Sequence, residues 1–244
     1  YDNDLIEETV KNHVTETRWQ EVFLLVAGLM RGKADKLLLA MEKEAQEYAK
    51  NAKLSKFLVW VEQATGELKE SVKPSAKRSI ILFDRLNKGI NFTKRYNVIQ
   101  SDMYTNYIDY TPQFDEPFLQ ELDKLSQEYV GIDVLYQDHY GHLLISEQMP
   151  NEETVTHIFA LIGSITKKIL GQLEFDQISA FYEKIILDFY KQSPIGFSSW
   201  RTPDWIIFQN YLYVNELILS YRKVAVNISP TVWQEIEERM LRVP

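Results

Sequence analysis

His139 and His142 sit three apart beside Asp138 in "DHYGHLL", the one place where histidines cluster. On a helix, imidazoles at that spacing can share a zinc ion with a third protein ligand. No third ligand follows at helical spacing, and Gly141 between them marks a turn, so the plainer reading is a pair of loop histidines. His13 and His157 stand alone and read as packing or capping residues. The adjacent carboxylates Glu152/Glu153 and Glu237/Glu238 have the composition of an acid–base pair. They fall at helix ends or on polar faces, where solvation or the helix dipole accounts for them. "AGLMRGKAD" holds Gly32-Lys33 without the spacing of a phosphate-binding loop, and with alanine where a hydroxyl would hold Mg²⁺. A Gly-x-Ser-x-Gly nucleophile elbow is missing, and without cysteine the chain has no thiol catalysis, disulfide or thiolate metal site. These residues point away from catalysis and away from a cofactor or metal held by this chain.

Residues suited to recognition are easier to find. Tyr104, Tyr107 and Tyr110 recur every third position, with Asp102 and Asp109 among them. On a helix they make an aromatic stripe, which fits either a binding face or a core. "GFSSWRTPDW" brings Trp200, Arg201 and Trp205 together in a loop, the residue types that dominate interface hot spots. A buried corner pinned by the two tryptophans is the competing reading. Arg18 next to Trp19 suits either a docking contact or an intramolecular ion pair and stacking arrangement.

The elements that must position these residues are helical. Of 244 residues only 9 are glycine, while apolar residues make up 45% and charged residues 25%. Turn-rich β proteins need more glycine than this at positive φ. Apolar spacing at i, i+3, i+4 recurs through the chain, and start and stop signals divide it into roughly ten helices with short connections. Thr17, with Gln20 three residues on, reads as a capping box opening a helix that runs to Gly32. Asp35 opens a helix with Leu37, Leu38, Met41, Ala45 and Tyr48 on one face, and the next shows Phe57, Leu58, Val61 and Ala64. Pro74 reads as the first residue of a further helix. Others are expected at Asp115 to about Gly131, Asn151–Gly171, Asp176–Gln192, Asp204 to about Ala225, and Ser229–Arg242. "GIDVLYQDHYGHLLI" fits a helix pair or a hairpin. The expected architecture is a single all-α unit spanning 1–244, with a soft boundary near 90–115. The segment from Trp19 to Met30 is apolar nearly all round, the pattern of a buried central helix.

A net charge of −8 weighs against nucleic acid or an anionic membrane as partner. No run of about 20 apolar residues appears, and the expected location is the cytoplasm. The chain starts with Tyr1 and not methionine, so it is expected to be a piece of something longer.

The same segments carry a family resemblance. "HVTETRWQEVFLLVAGLMRG" (13–32), "LLLAMEKEAQEYAKNAKLSKFLVWVEQ" and "VKPSAKRSIIL" resemble the helical region that follows the NTPase module in bacterial, especially cyanobacterial, NACHT proteins. That region reads His-(Ile/Val)-Thr-Glu-x-Arg-Trp-x-Glu-Val-Phe-Leu-Leu, then a leucine-rich helix, then Lys-Pro-x-Ala-x-Arg. "YLYVNELILSY" and "ISPTVWQEIEERMLRVP" resemble the family's closing helix and its end. The stretch "NFTKRYNVIQSDMYTNYIDYTPQF" departs from the family's leucine- and aspartate-rich middle. NACHT proteins are STAND-class NTPases related to NOD-like receptors, and bacterial members act in antiphage defence. The resemblance implies a non-catalytic C-terminal regulatory and sensor domain. An NTPase module with ATP and Mg²⁺ would lie upstream, and a phage protein would act as trigger. A stand-alone helical scaffold that joins proteins without any NTPase is the alternative.

Overall fold

A computed structural model of the chain describes residues 2–29, 34–66, 73–83, 86, 152–170 and 200–244. Every regular element among them is an α-helix: α1 (Asp2–His13), α2 (Thr17–Leu29), α3 (Ala34–Ala49) and α4 (Ala52–Gly66), then α5 over residues 74–83, then α6 (Glu152–Leu170), α7 (Thr202–Val224) and α8 (Pro230–Arg239). The helices expected at Asp115 and Asp176, the "GIDVLYQDHYGHLLI" stretch and the boundary near 90–115 lie outside the described residues.

The start signals act largely where the sequence places them. Pro74 opens α5, where its missing N–H removes nothing from the helix ladder. Ser229 precedes Pro230 at the head of α8. Asn51 caps α4, its Oδ1 accepting the backbone N–H groups of Lys53 (3.0 Å) and Leu54 (3.1 Å). In α7 the Asp204 carboxylate reaches back to the backbone N–H of Arg201 at 2.8 Å. Others are displaced: α3 begins at Ala34 and not at Asp35, and α7 at Thr202 and not at Asp204. Thr17 is the first residue of α2 and not its cap, and the carbonyl of Glu16 accepts the Trp19 N–H at 2.8 Å.

The centre of the molecule is α7, against which α2, α3, α4 and α6 all pack. Twelve of its 23 residues are buried, and every position from 211 to 219 is closed to solvent. An unbroken buried run of that length touches all sides of a helix, so neighbours must surround it. α1 packs on α3, and α8 also rests on α3. The buried faces expected for α3 and α4 are found: Leu37, Leu38, Met41 and Ala45 in the first, Phe57, Leu58 and Val61 in the second.

The expectation that the segment beginning at Trp19 forms the central buried helix is overturned. In α2 only Phe23 and Ala27 are buried, whereas Val22, Leu25 and Leu29 are 41%, 67% and 78% exposed. Periodicity reports that a helix is apolar, but not whether enough neighbours exist to cover it. α2 packs on α7, buries Phe23 and Ala27, and leaves Val22, Leu25 and Leu29 uncovered by the described helices.

This difference is measurable by urea unfolding. Leu212→Ala, in the enclosed part of α7, should cost roughly 2–5 kcal/mol. Leu25→Ala should change stability by no more than about 0.5 kcal/mol. A Leu25→Ala cost comparable to that of Leu212→Ala would place the hub back at α2.

Candidate interaction surfaces

The turn between α1 and α2 is built on Glu16. Its carboxylate takes His13 Nδ1 at 2.8 Å and the Arg18 Nε–H at 2.6 Å. The His13 ring stacks on Trp19 with centroids 4.2 Å apart and planes 8° from parallel, and Trp19 leans on Phe23 at 6.0 Å. The His13 and Arg18 hydrogen bonds hold the Glu16 carboxyl below its ordinary value. Arg18 is 78% exposed. The pair Arg18/Trp19 thus divides its work. Trp19 is half-buried and joins α1 to α2, while Arg18 stays at the surface with one carboxylate partner. Arg18, Val22, Leu25 and Leu29 fall on one side of α2 at helical spacing, all exposed. That outward stripe is apolar except at its N-terminal end.

Trp200 and Trp205 lie inside the fold, 2% and 1% exposed. Their rings are 4.9 Å apart. Trp200 meets Phe57 edge-on at 6.0 Å and Phe208 at 5.6 Å. Phe57 and Phe208 are themselves perpendicular at 6.0 Å. Edge-to-face aromatic contacts of this kind add to area burial. The loop entering α7 is therefore pinned onto α4 by aromatic packing, and of the three residues singled out there only Arg201 is exposed. Tyr104, Tyr107 and Tyr110 lie outside the described residues, as do Asp138, His139 and His142.

Several polar residues that spacing did not single out hold the helices together. Asp204 receives Lys53 Nζ at 2.7 Å and Asn51 Nδ2 at 3.5 Å, tying the starts of α4 and α7. Burial works to raise its carboxyl, but Lys53, the Arg201 N–H and Asn51 outweigh it and hold the group below its ordinary value. Lys168 of α6 is paired with Glu216 of α7, which also accepts the Ser164 hydroxyl at 3.1 Å. Arg78 of α5 is 3% exposed. Its guanidinium donates to the carbonyls of Met240 (2.8 Å) and Glu238 (2.6 Å) at the end of α8. Burial pushes Arg78 down from its ordinary value, though an arginine starts so high that it remains a cation near neutrality. The available signal for Arg78 was its place in the Lys-Pro-x-Ala-x-Arg run. Its long-range partners leave no mark in local sequence.

Among the described residues, no group of three His, Asp or Glu side chains is arranged to hold a metal ion. No helix there is long and apolar enough to cross a membrane.

The fold defines an all-helical module gathered on one long C-terminal helix. Residues 179–243, which include that helix and α8, match the family model described as NACHT C-terminal Helical domain 2. This part of the chain is therefore similar to the C-terminal helical domains of NACHT proteins, and the matched stretch takes in nearly all of the closing motif "YLYVNELILSY … ISPTVWQEIEERMLRVP". No curated protein and no solved structure matches the chain.

Two substitutions test the aromatic corner and its carboxylate. Trp200→Ala should cost roughly 3–5 kcal/mol in chemical denaturation. Asp204→Asn should be destabilising at neutral pH and lose its effect in acid. The folded-state carboxyl titrates below its unfolded value, so its contribution is complete above about pH 4–5. It fades as pH falls through the lowered folded value. A cost that stays constant into acid would show that Asp204 acts through shape alone.

Proposed function

We propose that this chain is the helical regulatory and sensor part of a NACHT-type NTPase, acting through protein contacts and not through catalysis of its own. The family match over 179–243 carries this reading. The NTPase module, with its ATP and Mg²⁺, would precede the chain in the same polypeptide. The domain would hold that module inactive until a trigger binds, and the trigger shifts the balance only if it prefers the released state. In a bacterial cell the setting would be cytoplasmic antiphage defence, with a phage protein as trigger.

The outward stripe of α2 is the contact we assign to the NTPase module. Val22, Leu25 and Leu29 leave an apolar face uncovered by the chain's own described helices, and Arg18 extends it with a cation. The resemblance sets this helix just after the NTPase module, which makes that module its nearest available cover. Trp19 would transmit the contact into α1 and α7 through its stacking on His13 and Phe23.

In the full-length protein, Leu25→Asp with Leu29→Asp should raise basal nucleotide hydrolysis or oligomerisation, while thermal unfolding of the present chain barely moves. Unchanged basal activity with an intact fold would remove α2 as the coupling surface. For the sensor role, full-length protein is challenged with candidate phage proteins with and without this domain. Exchanging residues 90–150 between relatives should transfer trigger preference. Preference that stays with the rest of the chain would move recognition to the loop leading into Trp200.

A further inference from the structure

Of the 10 residues in α8, only Ile236 is buried. Just beyond it, Met240 and Leu241 add 4% and 1% exposed side chains to the core. Ile228, Val232, Trp233 and Val243 pack half-buried against the core, and the polar attachments of this C-terminal segment come from separate parts of the fold. Asp35 of α3 accepts the Ser229 N–H at 2.9 Å. Glu42 of α3 takes Arg239 in a two-point contact, 2.7 and 3.0 Å. Lys73 reaches both oxygens of Glu237 at 2.9 Å, and Glu62 of α4 meets Arg242 at 3.0 Å. Arg222 of α7 lies 5.5 Å from the centre of the Trp233 ring.

The cations of three of these pairs are well exposed: Lys73 54%, Arg242 43% and Arg239 37%. Their carboxylates are less open (Glu62 33%, Glu237 17%, Glu42 11%), so salt weakens Arg242–Glu62 most and the other two in part. Beside the apolar contacts, Arg78 holds α8 from inside by its two carbonyl contacts. One of them is on Met240, directly before Leu241, whose φ of 60° is left-handed. Helices commonly end on that conformation with glycine, and a leucine there is strained. Central α7 is the opposite case, enclosed by apolar neighbours over nine consecutive positions from 211 to 219.

We propose that α8 is a salt-sensitive latch, a C-terminal helix that undocks as a unit while α7 and α3 stay folded, with Arg78 as its pin. Undocking uncovers Ile236, Met240 and Leu241 together and strips Glu42 of its guanidinium, so the two states present different surfaces. Such a local opening is the raw material of a regulatory switch. The inference rests on these contacts and not on the NTPase reading, because it concerns only whether α8 moves alone.

Hydrogen exchange on the whole chain, read by mass spectrometry, tests it. Raising salt from about 0.05 to about 1 M should speed exchange of α8 amides about tenfold and leave α7 amides unchanged. In low salt, Arg78→Met and the milder Arg239→Gln should each reproduce that effect. If Arg78→Met unfolds the chain, so that α7 loses protection too, the Arg239→Gln variant and the salt series on the unaltered chain decide. Exchange in α8 that ignores salt, ignores Arg239→Gln, or rises only in step with α7 overturns the latch.

Discussion

Enclosure of α7 on every side is the constraint to which the rest of the structure answers. A helix closed to solvent over its middle calls for partners for the polar side chains it carries there, and most of them have one, although the buried Tyr213 hydroxyl does not. Asn215 turns back to the Tyr211 carbonyl at 2.8 Å. Glu216 is met by Lys168 and Ser164 across the α6 interface. Tyr221 donates to the Ala34 carbonyl at 3.1 Å, and burial, aided by the Asp35 charge, pushes its phenol up to about 12. The Glu216 and Tyr221 contacts also set the positions of α6 and α3. Removing one partner would leave a polar group buried and unpaired, which costs more than the bond itself contributes. Polar pairing thus makes the packing specific, while apolar burial supplies most of the driving force.

A second layer of long-range polar contacts joins the two ends of the sequence. Asp204 ties the entry of α7 to α4, Arg78 closes the last turn of α8, and Glu42 holds Arg239. The stretch that matches the NACHT C-terminal helical family is therefore not a separate body. Its central helix is wrapped by the helices of the N-terminal part, and its last helix is fastened to them. α2 packs directly on α7, and α8 rests on α3, which packs on α7 in turn.

Much of the helical plan was legible beforehand because helix signals are local. Pro74 at the head of α5, Ser229-Pro230 before α8, and the 3.6-residue spacing of Leu37, Leu38, Met41 and Ala45 depend on residues a turn away. The candidate sites were less legible. Trp200 and Trp205 have the composition of an interface but fill an internal corner, because Phe57, distant in sequence, joins Phe208 of α7 to receive them. "TRWQEVFLLVAGL" was the greasiest stretch and therefore the obvious hub, yet it lies at the edge. "YLYVNELILSY", interrupted by asparagine and glutamate, occupies the centre because Asn215 turns back onto its own helix and Glu216 is met by Lys168 and Ser164, which local periodicity cannot see.

By itself the sequence determined the helical class, most helix starts among the described residues and the resemblance carried by the closing segment. All three follow from backbone propensity, capping chemistry and short motifs that act within a few residues. Only the tertiary structure decided which helix is enclosed, which apolar face is left open on α2, and that Arg78 is a pin and not a surface charge. Those outcomes depend on how many neighbours surround a given face. That number is set by contacts between residues such as Arg78 and Met240 that lie far apart along the chain.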